Sequence, residues 1–327
     1  MMRRVETDNF CGLKNQGFTC YLNALLQTLF RTPEFKNLII SSSVHTLEKA
    51  LSKLFKKLSS NSSSIGTKDV TRALKIDVMK QQDIADCFRM LLNKLDKKAP
   101  SKYSKIFQSR VVNTLECQDC HNTDELVQDF SVITLPVKPF LTDSLEEFWN
   151  STTLDGQNEV YCNKCCKKTA TTMTYTFKCQ PRVLVIQLKR FMQCRNMFEK
   201  DISTVSIPLK LEVPYGNSKD KTIYSLYAMC NHIGVVNGGH YNAVIKCSEK
   251  WNEFDDKYCY LNCIHQSGSD FISSSNAYLL FYKKPSDDAS GQPTDNEHNE
   301  GTANECKHKK KRASIVKRKD QPSTHTR

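Results

Sequence analysis

Apolar residues recur at helical spacing through the first hundred positions of this chain and in strand-like runs after about Val111. Directly behind Cys20, Leu22, Leu25, Leu26, Leu29 and Phe30 form an apolar face. They predict a helix with Cys20 at or just inside its N-terminus. Val44, Leu47, Ala50, Leu51, Leu54, Phe55 and Leu58 form a second face, with lysines opposite. The serine-rich stretch 59–64 reads as a loop. A short helix is expected near 69–74 and a longer one from about 82 to 95. Residues 183–188 read as a buried strand, and 224–229, 241–245 and 278–282 as further strands. A helical half followed by a β-rich half predicts an α+β architecture, with a cleft where the halves meet. The sequence turns polar after Pro285, so a disordered basic tail is expected over 285–327.

With 327 residues and 39% apolar content, the chain can bury a large core. No apolar run approaches the roughly 20 residues of a membrane span, so none is expected. The short extension 1–9 begins Met-Met-Arg-Arg with no apolar stretch behind it, which does not predict a signal peptide. Fifteen cysteines in such a chain point to a reducing compartment, where paired Cys-x-x-Cys sequences read as metal sites or catalysis. The formal charge of +12 lies partly in the tail, at Lys307, Lys309, Lys310, Lys311, Arg312, Lys317, Arg318 and Lys319. The remainder is spread as surface lysines, which serve solubility and only weakly favour acidic partners.

Candidate chemistry centres on Cys20. A glycine-punctuated polar turn, Gly12-Leu13-Lys14-Asn15-Gln16-Gly17-Phe18-Thr19, runs into it. At a helix start, free backbone N–H groups and the dipole favour thiolate over thiol. Asn15 can aim an amide at the same spot, as an oxyanion hole requires. A cysteine nucleophile needs a base that is distant in sequence. Two histidines remain as candidates, His232 and His240; the latter follows Gly238 and Gly239, which allow close backbone approach. The carboxylates of Trp251-Asn252-Glu253-Phe254-Asp255-Asp256 could orient an imidazole. Cys117, Cys120, Cys162 and Cys165 make two Cys-x-x-Cys knuckles, together the four sulfur ligands of a structural zinc site. Cys166 directly follows the second knuckle.

These segments together resemble the ubiquitin-specific protease family of cysteine deubiquitinases, over about residues 10–284. The Gly12 to Asn23 stretch resembles its cysteine box. Gln81-Gln82-Asp83 with Asp86 is similar to its acidic motif, and the two knuckles to its zinc fingers. Val185-Ile186-Gln187-Leu188-Lys189-Arg190-Phe191, Asn231 to Tyr241, Trp251 to Asp256 and Ala277 to Tyr282 are similar to its later motifs. The resemblance implies a papain-like right-hand fold: a helical thumb, a β palm and zinc-bearing fingers over about 108–180. It implies a triad of Cys20, His240 and Asp255. The Asn15 amide and the Cys20 backbone N–H would bind the oxyanion. Asp256 would be an alternative or assisting acid, and His232 would pack. The substrate implied is ubiquitin on conjugated proteins, cleaved after its Arg-Leu-Arg-Gly-Gly tail. Gln82, Asp83 and Asp86 would bind that tail, the aspartates pairing with its arginines. Phe191 and Tyr241 would wall the channel, and Gly238 and Gly239 would keep it narrow.

Phe18, Ile84, Asp86 and Cys87 depart from the usual pattern. Phe18 either crowds the entrance or packs beneath the loop. The principal alternative is a pseudoenzyme that binds ubiquitin without cleaving it. A zinc-ribbon nucleic-acid binder would need its basic residues on the folded part, whereas the densest run lies in the tail. The expectations are therefore a monomer, no nucleic-acid or membrane partner, and no cofactor in the chemistry. Residues 307–319 resemble a bipartite import signal, which gives nuclear and cytoplasmic residence as the expected location.

Overall fold

The computed structural model describes residues 10–42, 45–60, 63–97, 101–194, 197–215, 221–236, 238–264 and 268–285. The extension 1–9, Val44, Asn237 and the tail beyond Pro285 with its basic cluster lie outside the described residues.

Helices α1 (Cys20–Phe30), α2 (Pro33–Ser41), α3 (Thr46–Ser60), α4 (Lys68–Leu74) and α5 (Ile84–Asp96) build the N-terminal half. The sequence pattern predicts one buried face for α1, yet all of its residues are buried. The helix runs between α2 and α5 on one side and the Gly238–Cys247 strand on the other. Its polar residues therefore need internal partners. Gln27 Nε2 donates to the Cys11 carbonyl at 2.7 Å, and Thr28 Oγ1 to the Ala24 carbonyl at 3.0 Å. Helix α3 behaves as its pattern predicts, burying Leu47, Ala50, Leu51, Leu54, Phe55 and Leu58. It also extends through Ser59 and Ser60, which the sequence assigns to a loop. Their hydroxyls donate back to the Phe55 and Lys56 carbonyls, so these two serines stay within the helix. Helix α5 starts at Ile84, two residues later than predicted, because Asp83 caps it. Asp83 Oδ1 accepts from the Ala85 and Asp86 N–H groups at 2.8 and 3.1 Å.

The main sheet runs in the order Tyr258–Ile264, Lys250–Asp255, Gly238–Cys247, Lys221–Val235, Ala277–Lys283, Val183–Leu188, Ile133–Leu135. Lys210–Pro214 also pairs with Lys221–Val235. All neighbours are antiparallel except the last pair. Side chains alternate between two cores, as the pleat demands. Val183, Val185, Cys230, Tyr241, Ala243, Leu279 and Phe281 face the helices. Leu184, Ile186, Leu188, Met229, Val244, Leu280 and Tyr282 face the opposite side. Both faces are covered, so these strands read as continuous apolar runs in the sequence.

A second sheet, ordered Thr123–Phe130, Ser109–Cys117, Thr171–Cys179, Thr152–Leu154, carries the first Cys-x-x-Cys at one end. The hairpin of Val160–Cys162 and Lys167–Thr169 carries the second. The β reading of everything after Val111 misses helix α6 (Leu141–Trp149), which buries Leu141, Ser144 and Leu145 against the strands around it. Its apolar positions recur at three and four, a period that is easily overlooked in a nine-residue helix. Arg190 is wholly buried and donates to the carbonyls of Ala277, Asp201, Ser203 and Ser274. Those bonds pin the turn that carries Phe191.

Candidate active site

The loop before Cys20 is organised by Asn15. Its Oδ1 accepts from the Gly17 and Thr19 N–H groups and from Thr19 Oγ1 at 3.0–3.1 Å. The loop lies against the 256–257 turn, where Leu13 N–H donates to the Asp256 carbonyl at 2.7 Å. A Cβ on Gly12 would stand 2.3 Å from the Lys257 carbonyl oxygen, so the approach tolerates only glycine. Cys20 then opens α1, with 3% of its surface exposed.

His240 reaches Cys20 through topology. α1 packs on the Gly238–Cys247 strand that carries it. That strand is paired with Lys250–Asp255, Ala243 opposite Phe254, which brings Asp255 to the same end of the hairpin. His240 Nε2 lies 2.5 Å from Asp255 Oδ1. The hydrogen bond with Cys20, followed by that with Asp255, overrides burial and pushes the His240 imidazole up to about 9.

The three carboxylates that the sequence left open separate cleanly. Asp255 meets His240. Asp256 bridges two amides, accepting from Asn15 Nδ2 and Asn23 Nδ2 at 2.8 Å each. Glu253 accepts from Asn242 Nδ2 and is raised by burial. Asp256 thus ties the cysteine loop to α1, and the Asn15 amide is directed at Asp256. The amide that reaches the sulfur is that of Gln81, whose Nε2 lies 3.7 Å from Cys20 Sγ.

The two histidines separate as well. His232 is 3% exposed and held edge-on by the Phe191 and Tyr241 rings. Burial, with the positive charges of Lys200 and His240, pushes it down to about 4. It is a neutral ring at pH 7.

Two clefts flank this centre. One, of about 510 Å³, is lined by Lys80, Gln81, Gln82, Asp83, Phe191, His232, Val236 and Tyr241. The other, of about 530 Å³, is lined by Phe18, Met79, Gln81, Ile233, Gly238, Gly239 and His240. Phe18 is 49% exposed and stands at the rim of the second cleft, so of its two expected positions it takes the entrance. Asp83 is less free than the sequence implies: beyond capping α5, its Oδ2 accepts from Tyr278 Oη at 2.5 Å. Asp86 is exposed and paired with Arg89 at 2.9 Å.

Cys117, Cys120, Cys162 and Cys165 converge, all four sulfurs lying within 4.8 Å of one another. The Cys117–Cys165 and Cys120–Cys162 sulfur pairs are 3.9 and 3.6 Å apart. The edge of a tetrahedron with metal–sulfur bonds of about 2.3 Å is about 3.8 Å. The Thr169 hydroxyl and the knuckle N–H groups hold Cys117 down to about 6, while contact with Cys120 and the other thiols pushes Cys165 up to about 12. Four sulfurs at this spacing could hold a metal ion. Cys166 is exposed and bonded to the Asn163 carbonyl, and it stands apart from the four.

The sequence profile described as ubiquitin carboxyl-terminal hydrolase matches residues 11–282. The chain belongs to this family. It is 28% identical to ubiquitin carboxyl-terminal hydrolase Usp2 of Drosophila melanogaster over 86% of its own length and 36% of the relative. It is 30% identical to ubiquitin carboxyl-terminal hydrolase 15 of Schizosaccharomyces pombe over 85% of its length and 28% of that protein. Ubiquitin C-terminal hydrolase 13 of Arabidopsis thaliana is 28% identical over 85% of the chain and 29% of its own. The chain therefore spans about a third of the length of these relatives. The helices and sheets described above are the α+β, papain-like architecture of the hydrolase family.

Two residues that border these clefts were not assigned to the site by sequence reasoning. Gln81 was visible only as part of a motif, and no local spacing shows that it crosses to Gly239, which is 158 positions away. His232, weighed as a base from the residues and given a packing role by the resemblance, packs between Phe191 and Tyr241 and also borders the first cleft.

The glycine pair also divides. Gly238 has open space where a Cβ would project, whereas a Cβ on Gly239 would stand 2.1 Å from His232 Nε2 and 2.9 Å from the Ile233 carbonyl oxygen. Gly239→Ala is expected to lose about 1–3 kcal/mol of stability through overpacking. The readout is a lower urea midpoint at unchanged slope. An unchanged midpoint would mean that the His232 ring gives way.

Proposed function

We propose that this protein is a thiol deubiquitinase, which hydrolyses the bond after the C-terminal glycine of ubiquitin on conjugated proteins. One observation carries the reading: His240, at the edge of a cleft, is hydrogen-bonded to Cys20 on one side and to Asp255 on the other. Membership in the hydrolase family supports it.

In this reading Asp255 holds His240 Nε2, so that Nδ1 faces the sulfur. Cys20 attacks the glycine carbonyl carbon, forming a C–S bond and moving the carbonyl pair onto oxygen. Collapse of that intermediate breaks the C–N bond, and the lysine amine leaves with the proton from His240. Water then gives a proton to His240, attacks the thioester and releases ubiquitin. The tail would lie in the cleft of Gln82, Asp83, Phe191 and Tyr241. Its paired glycines have no side chains to clash with the narrow backbone at Gly239. Asp83 could meet a tail arginine only while serving Tyr278 and the α5 start. Cys117, Cys120, Cys162 and Cys165 would hold a structural zinc, which supplies cross-linking of the finger strands and has no open position for chemistry.

The test is hydrolysis of a fluorogenic ubiquitin C-terminal amide under reducing conditions by wild type and Cys20→Ala. Release by wild type and complete loss in the variant are expected. A folded wild type that binds ubiquitin and releases nothing would instead be the pseudoenzyme.

A further inference from the structure

The amide of Gln81 crosses the cleft and is held in one orientation. Its Nε2 donates to the Gly239 carbonyl at 2.6 Å, and its Oε1 accepts from the Gly239 N–H at 3.3 Å. Turning the amide over would set donor against donor and acceptor against acceptor, so Gly239 fixes which end is nitrogen. One Nε2 hydrogen serves Gly239. The same nitrogen lies 3.7 Å from Cys20 Sγ, within reach of a hydrogen bond to sulfur. Asn15, the amide that sequence reasoning directs at this spot, is turned to Asp256 by the three donors on its Oδ1.

Resting on the deubiquitinase reading, we infer that Gln81 is a catalytic residue: its second Nε2 hydrogen stabilises negative charge at the reacting centre, on the sulfur before attack and on the carbonyl oxygen after it. The carbonyl carbon bonds to the sulfur, so its oxygen stands one bond beyond and comes within range of the same donor. A donor aimed in advance needs no reorganisation as charge develops. Gln81 keeps both hydrogens throughout; the only proton that moves in the first step goes from His240 to the leaving amine. The Gly239 contacts also explain why this side chain borders both clefts. It spans them at the position of the thiol.

The experiment measures kcat and KM separately on a ubiquitin C-terminal amide for wild type, Gln81→Ala and Gln81→Glu, using the full chain. Gln81→Glu keeps the length and the acceptor for the Gly239 N–H but has no donor for the sulfur or for the Gly239 carbonyl. Both variants are expected to lose about 10²–10³-fold in kcat, the cost of one oxyanion donor, with KM within about threefold of wild type. Thermal melting of each variant accompanies the assay. If a folded variant keeps wild-type kcat, or turns over faster because the crossing amide had obstructed the channel, the assignment is overturned. An inactive, folded wild type would instead overturn the deubiquitinase reading itself. Should one variant not fold, the other still decides.

Discussion

Replacing His240 by alanine is expected to lower kcat on the order of 10⁴-fold, the upper range for one positioned acid–base group. In wild type the same residue sets the alkaline limb of the pH–rate profile near pH 9. Its imidazole is raised to about 9 first by its hydrogen bond with Cys20 and then by Asp255. Through the neutral range His240 therefore keeps the proton that the leaving amine must receive. Above about pH 9 that proton is gone and turnover falls. The folded state binds this proton more tightly than the unfolded chain. Its contribution to stability is complete below pH 6.5 and is lost as pH rises through about 9. Asp255→Asn should move the limb to lower pH, because one of the interactions that holds the proton disappears. A limb unchanged in Asp255→Asn would show that the 2.5 Å contact does not set the titration.

Loss of the four-sulfur site should have the largest effect on folding. Purified protein is expected to carry one zinc per chain by elemental analysis, and Cys162→Ser to carry none. Structural zinc contributes roughly 10–16 kcal/mol of binding free energy in small zinc domains, much of it folding energy. The outer strand of the sheet it would clamp, Thr123–Phe130, is exposed or half-exposed along its whole length. Cys162→Ser should therefore lose amide-exchange protection in the strands around Cys117 and Thr171, while α1, buried on all sides, stays protected. Tight chelation should reproduce the pattern. Full protection of those strands in metal-free protein would show that the sheet stands without the clamp.

The sequence by itself determined what repeats locally. The amphipathic period of α3 and the apolar runs of the main sheet are short-range patterns, set by which faces each element buries. A cysteine at the start of a helix and two Cys-x-x-Cys pairs were also legible, because each is a local arrangement. Which distant groups meet has no local signal: the family resemblance implied Cys20, His240 and Asp255 together, and the tertiary structure supplied the contacts. It set His240 against Cys20 and left His232 as a neutral ring, through the packing of α1 on one strand. Strand register sent Asp255 to the imidazole and the next residue, Asp256, to Asn15 and Asn23. It bonded the Asn15 amide to Asp256 and set that of Gln81 beside the sulfur. Sequence neighbours share composition and period, but contacts across 158 positions depend on topology and side-chain geometry, and neither leaves a local periodic trace.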